Sequence, residues 1–173
     1  LGGQEHYYWE PHSALVVPCK EKQEVLVHFG TQGVNGVQEQ LAAVLAIPAH
    51  RITVKCRRMG GGFGGKERME VALMAGVAAF KTGRPCRLVL TRDTDVAITG
   101  HRHETRAAYE VEHDGEGKML RTKFNIDINA GNSVDLSEVW AGTLLRRIDG
   151  GYTLSNFEGQ AAVCKTNLAS NTA

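Results

Sequence analysis

The chain has 173 residues, a formal net charge of +1 and 42% hydrophobic residues. This length is sufficient for one domain with its own core, and the composition is ordinary for a globular protein. The 20 Lys and Arg residues are scattered among 19 acidic residues, so the sequence shows no basic stripe of the kind that nucleic-acid-binding proteins carry. The sequence has no run of about 18 apolar residues, so it predicts no membrane-spanning helix. We therefore expect neither nucleic acid nor a membrane as a partner.

The four cysteines lie far apart and form no C-x-x-C pair. This spacing argues against a zinc or iron–sulfur site within the chain and favours a reducing compartment. The sequence also begins without Met and ends without a helix-stop or strand-stop signal. We therefore expect it to be an excised part of a longer protein.

Hydrophobic periodicity predicts strands and helices in mixed order. We expect a hairpin from strands 13–18 and 24–29, a strand at 52–55, and a helix over 67–82 that Gly83 and Pro85 end. A strand at 86–90, a second hairpin from 103–112 and 120–128, a short helix over 136–146 and a last strand at 160–164 follow. A further helix follows residue 33, with Asn35 as its cap and an apolar stripe of Val37, Leu41, Val44 and Leu45. Because strands and helices do not alternate regularly, we predict an α+β fold of mixed sheets with two main helices.

The most informative stretch is Arg57-Arg58-Met59-Gly60-Gly61-Gly62-Phe63-Gly64-Gly65-Lys66-Glu67, which has five glycines in six positions. Glycine allows a ligand to approach backbone N–H groups closely, and the predicted helix would add its positive N-terminal end. Five glycines cost backbone entropy and, as judged from the sequence, pack nothing in return. We therefore expect an anion-binding loop here.

Two nucleotide-binding patterns fit this loop incompletely. Gly60, Gly62 and Gly65 satisfy G-x-G-x-x-G, but no acidic residue follows at the end of a second strand where a ribose would need it. Residues 60–66 also read as G-x-x-x-x-G-K, yet Glu67 replaces the Ser or Thr that holds Mg²⁺ in a phosphate-binding loop. A dinucleotide-binding module and a non-catalytic module therefore remain as alternatives.

The stretch from Arg58 to Glu67 resembles the molybdopterin-cofactor loop of the xanthine dehydrogenase/oxidase family, the molybdenum hydroxylases that include aldehyde oxidase. Other short segments resemble the family's pattern in the same order over nearly the whole chain, namely residues 2–6, 31–32, 82–85, 92–93, 98–100, 102–103, 164–168 and 170–173. The segment 141–151 departs most from that pattern.

The resemblance implies that residues 1–173 form a single partial domain, the early part of the molybdopterin-binding region of a much longer enzyme. It implies that Gln32, Gly62, Phe63 and Gly64 contact a molybdenum–molybdopterin cofactor, with Gln32 and Phe63 next to the metal. Glu67 would bind a purine substrate. Because aldehyde oxidases generally have an apolar residue at that position, Glu67 favours the purine-oxidising branch over an aldehyde oxidase-like member.

The resemblance also implies a context for the parent enzyme. It would hydroxylate xanthine or hypoxanthine towards uric acid, carry FAD and [2Fe-2S] clusters outside this chain, form a homodimer, and reside in the cytoplasm, with the peroxisome as an alternative. The family's substrate-binding arginine and general-base glutamate lie beyond residue 173. We therefore expect this chain alone to be catalytically inactive and to bind cofactor weakly or not at all.

Other chemistries have less to support them in the sequence. His101 and His103, with Asp93 and Asp95 upstream, could form part of a metal site, but a zinc site needs a further converging ligand. The sequence lacks the G-x-S-x-G motif that would indicate a serine hydrolase of the α/β-hydrolase type. Cys56, beside two arginines, is the nearest to a reactive thiol but has no partner histidine close in sequence.

Overall fold

The computed structural model describes residues 1–19 and 21–172. These residues form two compact units. The loop unit comprises residues 6–99 and contains the glycine-rich stretch. The hairpin unit comprises residues 1–5 together with the chain from Gly100 on. Both mix strands with helices, so the predicted α+β class is confirmed, whereas the expectation of a single partial domain within a longer enzyme stays a prediction.

The loop unit is a four-stranded mixed sheet with helices. Its elements are β1 (Ser13–Cys19), β2 (Glu24–Phe29), α1 (Val34–Leu45), a 3-10 turn (Ala49–Arg51), β3 (Ile52–Lys55), a second 3-10 turn (Gly65–Glu67), α2 (Glu70–Thr82), β4 (Cys86–Val89) and α3 (Arg92–Ile98). The strand order is β3-β2-β1-β4. β1 is antiparallel to β2 and β4, whereas β2 and β3 are parallel. The predicted first hairpin is therefore confirmed.

The core of the loop unit lies between one face of this sheet and helices α1 and α2. Alternate residues of β1 and β2 point into it, because successive side chains of a strand face opposite sides. On α1, Val37, Leu41 and Leu45 are buried as predicted, but Val44 is 52% exposed. Val44 lies at the edge of the apolar stripe, in the last turn of the helix.

The start of α1 differs from the prediction. The helix begins at Val34 with Gly33 as its N-cap and no side-chain cap, so the assignment of Asn35 as the cap is wrong. The Oγ1 of Thr31 accepts the Gly33 N–H at 3.1 Å, and the carbonyl of Gly33 accepts the Val37 N–H. These bonds fix the entry of the chain before Asn35.

Helix α2 begins at Glu70 and not at Glu67 as predicted, because Arg68 is extended (φ −71°, ψ 140°) and separates it from the 3-10 turn. The small residues of α2 allow close packing against α1. A Cβ atom at Gly76 would lie 2.5 Å from Cδ2 of Leu41. The helix ends as predicted at Gly83, which is left-handed (φ 63°) and donates its N–H to the carbonyl of Ala79.

Sequence periodicity missed α3, which has only seven residues and no apolar stripe. The hydroxyl of Thr91 caps it by accepting the Thr94 N–H. The buried residue of this helix is Asp95, a residue type that a search for hydrophobic periodicity does not select.

The hairpin unit is a three-stranded sheet with one helix. It contains β5 (Thr105–His113), β6 (Met119–Gly131), α4 (Ser137–Arg146) and β7 (Phe157–Lys165). β5 and β6 form the predicted antiparallel hairpin, and Asp114 Oδ1 accepts the N–H groups of Glu116 and Lys118 in its turn. β7 pairs in parallel with β6, so α4 lies in the connection between them.

The segment near residue 170 is buried in the hairpin unit. Asn171 accepts the His101 N–H at 3.1 Å and donates to the carbonyl of Asn129 at 2.8 Å. A Cβ atom at Gly100 would lie 1.7 Å from the carbonyl oxygen of Ser170, so only glycine fits beside this segment. Within the described residues, no helix combines the length and apolar character needed to span a membrane.

We expect Leu41→Ala to lower the free energy of unfolding of the loop unit by about 2–5 kcal/mol, because Leu41 is fully buried between α1 and α2. Urea unfolding followed by circular dichroism measures this change. The matched control is Val44→Ala on the same helix, which should change stability by no more than about 0.5 kcal/mol because Val44 is half exposed. Equal effects of the two variants would contradict the placement of α1.

Candidate functional site

The glycine-rich stretch connects β3 to the 3-10 turn and lies against residues 8–10. The Glu10 N–H donates to the carbonyl of Gly60 at 3.0 Å, and the Gly60 N–H donates to Oε2 of Glu10 at 3.0 Å. This pair of hydrogen bonds fixes the start of the loop against a segment about fifty residues earlier in the chain.

The loop glycines are packed against side chains. A Cβ atom at Gly60 would lie 2.5 Å from Cβ of Glu10, one at Gly62 would lie 2.4 Å from Oε1 of Gln32, and one at Gly65 would lie 2.6 Å from Cε1 of Tyr8. The expectation that these glycines pack nothing is therefore wrong. Their neighbours come from distant parts of the sequence, so the sequence pattern does not reveal them.

The tip of the loop has an unusual backbone. Gly61 (φ 89°) and Gly64 (φ 95°) are left-handed, and so is Phe63 (φ 55°) between them. A left-handed conformation costs a non-glycine residue about 1–2 kcal/mol. The Phe63 side chain is 63% exposed, so it is not a hydrophobic anchor that holds the loop to the core.

Gln32 fixes the second half of the loop. Its Oε1 accepts the N–H groups of Gly64 at 2.9 Å and Lys66 at 3.2 Å. The backbone N–H of Gln32 and the hydroxyl of Thr31 both donate to the carbonyl of Lys66. Because Oε1 faces the loop, the side-chain amide presents its NH₂ group on the other side, where no described residue accepts from it.

Lys66 is buried, with 1% of its side chain exposed. Its Nζ lies 2.6 Å from Oε2 of Glu10 and 5.2 Å from the centroid of the Tyr8 ring. Burial would raise the pKa of Glu10, but the hydrogen bonds from Lys66 and Gly60 and the nearby charges of Lys66 and His12 outweigh it and hold that pKa below its usual 4.5. The ammonium group is thus already paired, unlike the phosphate-binding lysine of a G-x-x-x-x-G-K loop.

The topology also lacks the arrangement of a dinucleotide-binding domain. In that fold the glycine loop joins two neighbouring parallel strands through a helix. Here β3 precedes the loop and β4 follows α2. These two strands lie at opposite edges of the sheet, with β1 and β2 between them. The fit of Gly60, Gly62 and Gly65 to G-x-G-x-x-G is therefore coincidental in structural terms.

A buried polar network supports the segment that holds the loop, and sequence reasoning missed it. The hydroxyl of Tyr8 donates to Oδ1 of Asp95 at 2.9 Å, while the ring Nδ1 and backbone N–H of His12 lie 2.9 and 2.8 Å from the two carboxylate oxygens. Burial would raise the pKa of Asp95, but these hydrogen bonds and the charge of the His12 ring hold it below its usual 3.8.

Glu67 is half-buried at the end of the 3-10 turn. Its backbone N–H donates to the carbonyl of Gly64 at 3.3 Å. The prediction that Glu67 occupies the first turn of the long helix is wrong, because α2 begins three residues later. Its position is instead set by the same loop that Gln32 holds.

His101 and His103, which the sequence offered only as a weak candidate for a metal site, do not form one in the described part of the chain. No group of three His, Cys, Asp or Glu side chains there could hold a metal ion. His103 is buried, stacks on Trp140 at 4.7 Å and lies with Nε2 2.8 Å from the hydroxyl of Ser137. Ser137 is fully buried, so this contact is not that of an accessible nucleophile.

The loop therefore has a limited set of donors for a ligand. The amides of Gly60, Gly64, Gly65, Lys66 and Glu67 are already bonded within the protein. Among the described residues, the N–H groups of Gly61 and Gly62 and the side-chain NH₂ of Gln32 have no acceptor. These donors suit a group that carries negative charge or oxygen acceptors, but they form a smaller set than a whole glycine loop at a helix end.

Residues 1–173 match the family model of the molybdopterin cofactor-binding domain. The chain belongs to this family. Its donors at the loop and at Gln32 fit a cofactor that bears oxygen acceptors. The predicted family resemblance is thus confirmed.

The chain is similar to several known enzymes over its whole length. It is 43% identical to xanthine dehydrogenase/oxidase of Felis catus, 42% to aldehyde oxidase 3 of Rattus norvegicus and 39% to aldehyde oxidase 2 of Cavia porcellus. Each match covers 100% of this chain and 13% of the relative. The chain therefore spans about an eighth of the length of these relatives.

Solved structures share the fold at lower identity. The quinoline 2-oxidoreductase of Pseudomonas putida 86 has a TM-score of 0.91 at 23% identity, over 99% of this chain and 22% of that protein. The aldehyde oxidoreductase of Desulfovibrio gigas has a TM-score of 0.90 at 22% identity, over 100% of this chain and 19% of that protein.

The Glu10–Lys66 pair generates a prediction about stability. Glu10→Gln leaves the buried ammonium group of Lys66 without its ion-pair partner. Lys66→Met leaves the Glu10 carboxylate without its partner, but that carboxylate is 40% exposed and can be hydrated. We therefore expect Glu10→Gln to be the more destabilising, by about 1–3 kcal/mol. The pKa of Glu10 is lowered on folding, so the stability it adds is present above pH 4.5 and is lost as pH falls through the folded-state pKa.

Urea midpoints measured from pH 6 to pH 3 test both points. The original chain should lose stability more steeply below pH 4.5 than Glu10→Gln does. The control is Glu39→Gln, an exposed acid on α1, which should leave the pH profile unchanged. A profile for Glu10→Gln that is parallel to that of the original chain would contradict the proposed pairing.

Proposed function

We propose that this chain supplies the cofactor loop and a substrate-facing carboxylate to a molybdenum hydroxylase that acts on purines. The observation that carries the proposal is the contact of Gln32 with the loop. Oε1 of Gln32 accepts from Gly64 and Lys66, so one side chain fixes the loop, orients its own NH₂ donor and positions the turn that ends at Glu67.

Gln32, Gly62, Phe63 and Gly64 would hold the molybdenum–molybdopterin cofactor. When bound, that group would supply the two-electron oxidation by which a substrate carbon is hydroxylated with oxygen derived from water. The structure supports different contributions from these residues. Gln32 offers a side-chain donor and Gly62 a backbone donor. Phe63 has an exposed side chain at the tip, and Gly64 contributes through its left-handed backbone because its N–H is already bonded.

Glu67 supports the purine branch of the family. A carboxylate can accept hydrogen bonds from ring N–H groups of a purine, which an aldehyde does not have. Sequence identity alone does not favour this branch, because the xanthine dehydrogenase/oxidase of Felis catus (43%) and the aldehyde oxidase 3 of Rattus norvegicus (42%) are about equally similar. An aldehyde oxidase-like activity is therefore the second candidate.

The remaining properties of the parent enzyme follow from the family resemblance and belong to the same proposal. Electrons would leave through [2Fe-2S] clusters and FAD outside this chain, in a homodimer located in the cytoplasm or the peroxisome. Because the chain spans 13% of its relatives' length, we expect it to have no activity by itself.

Two substitutions of Gln32 distinguish its hydrogen bonds to the loop from its proposed contact with the cofactor. Gln32→Glu keeps oxygen acceptors for the N–H groups of Gly64 and Lys66 but loses the NH₂ donor, whereas Gln32→Leu loses both. In the complete enzyme we expect Gln32→Glu to keep its thermal stability and Gln32→Leu to lose about 1–3 kcal/mol. Both should lower the molybdenum content per protein, measured by mass spectrometry of the metal.

The control for the Gln32 variants is Gln38→Glu. Gln38 also donates through its side-chain amide, but to the carbonyls of Ala49 and Ile52, away from the loop. This variant should keep the molybdenum content of the original enzyme. Full molybdenum occupancy in Gln32→Glu would count against a cofactor contact through the NH₂ group.

Substitution of Glu67 tests the choice of substrate. In the complete enzyme we expect Glu67→Val to lower kcat/KM for xanthine by about tenfold or more, because one hydrogen bond to a charged group contributes about 1.5–3 kcal/mol. Turnover of an aromatic aldehyde should persist or rise. Glu39→Val, which removes an exposed acid from α1, should leave both substrates unaffected.

The outcomes for Glu67 distinguish the two candidate functions. Unchanged xanthine turnover in Glu67→Val would remove the basis for assigning a substrate contact to this carboxylate. An original enzyme that oxidises aldehydes and not xanthine would favour the aldehyde oxidase-like candidate.

A further inference from the structure

A basic pocket lies on the face of the loop-unit sheet opposite to α1 and α2. In β1, Ala14 and Val16 point into the helix-covered core, so Leu15 points to the other face. The register places His28 and Arg87 on either side of Leu15, and Lys55 beside His28. Three basic side chains and one leucine thus form a row across all four strands, with neighbouring strands about 4.8 Å apart.

Arg57 and Arg58, which follow β3, complete the lining of this pocket with Lys55 and Arg87. The cavity has a volume of about 220 Å³. All four of these cationic side chains are exposed, and no Asp or Glu lines the cavity. The chain as a whole has a net charge of only +1, so this is a local concentration of positive charge in a nearly neutral protein.

The cations of the basic pocket are not neutralised within the protein. In residues 1–19 and 21–172, Lys55, Arg57, Arg58 and Arg87 form no ion pair. The carboxylate of Glu10 lies close to Gly30, which lines the cavity. That carboxylate already accepts from Lys66 and from the Gly60 N–H.

We propose that the basic pocket binds a phosphate-class oxyanion at a site separate from the donors of Gly61, Gly62 and Gln32. A cleft lined by charges of one sign concentrates counter-ions. Guanidinium groups donate two parallel hydrogen bonds to a tetrahedral oxyanion, and three arginines with one lysine supply enough donors to surround it. The volume suits inorganic phosphate or the phosphate group of a small monoester, and none of the loop donors lines the pocket.

The test measures arginine modification in the intact protein that carries this chain, so folding does not depend on residues 1–173 alone. Phenylglyoxal modifies accessible arginines, and peptide mass spectrometry reports each site. We expect millimolar inorganic phosphate to slow modification of Arg57, Arg58 and Arg87 by roughly tenfold, relative to chloride at equal ionic strength. Arg84 is the internal control, because it is exposed, lies three residues before Arg87 and does not line the pocket.

A variant and a second ligand make the test specific. Arg87→Gln should reduce the protection of Arg57 and Arg58 by phosphate several-fold, whereas Arg84→Gln should not change it. Glycerol phosphate, as a monoester, is compared with inorganic phosphate. Stronger protection by the monoester would assign an organic phosphate as the ligand, and equal protection would assign the free anion.

Three outcomes would overturn the proposal. Equal modification rates with and without phosphate would show that the basic pocket has no affinity for the anion. Arginines that resist phenylglyoxal even without phosphate would show that another part of the protein covers them. Protection that depends on the presence of the molybdenum cofactor would assign the arginines to the cofactor and not to a separate site.

Discussion

The hydrogen bonds between Oε1 of Gln32 and the N–H groups of Gly64 and Lys66 hold the glycine loop in its conformation. They require that residue 62 has no side chain, because a Cβ atom there would lie 2.4 Å from the same oxygen. A single side chain thus sets the backbone path of the loop and the position of the turn that follows. The orientation of its NH₂ donor is a consequence of the same contact.

The first half of the loop depends on a second set of contacts. Glu10 accepts hydrogen bonds from the Gly60 N–H and from Lys66 Nζ. One carboxylate therefore holds the backbone at Gly60 and neutralises a buried cation. Tyr8 lies under the loop, and its hydroxyl is held by Asp95 at the start of the unpredicted helix α3. Residues from four separate parts of the sequence therefore determine the shape of one loop, and loss of Glu10 or Gln32 would leave polar groups of the loop without their partners.

The same contacts change the chemical interpretation of the loop. Most of its amides bond to the protein itself, so it is not a general cradle for phosphate at a helix N-terminus, and the long helix begins only at Glu70. What remains is a small group of donors at Gly61, Gly62 and Gln32, and the half-buried Glu67 ends the turn that follows. This set suits recognition of a few oxygen atoms at defined positions. The positive charge of the loop unit is concentrated elsewhere, on the opposite face of its sheet.

The sequence by itself determined the family and most of the strands and helices, but not α3 or the starts of α1 and α2. Alternating apolar residues were sufficient for the hairpin of β1 and β2, and Gly83 was sufficient for the end of α2, because these signals depend on neighbouring residues. The glycine-rich stretch and the segments around it were sufficient to indicate the molybdopterin-binding family. Only the tertiary structure decided what each glycine packs against, that Lys66 is paired, and that Glu67 precedes the helix. Those properties depend on contacts between residues thirty to ninety positions apart, such as Gln32 with Gly64 and Tyr8 with Asp95, and no local pattern encodes such contacts.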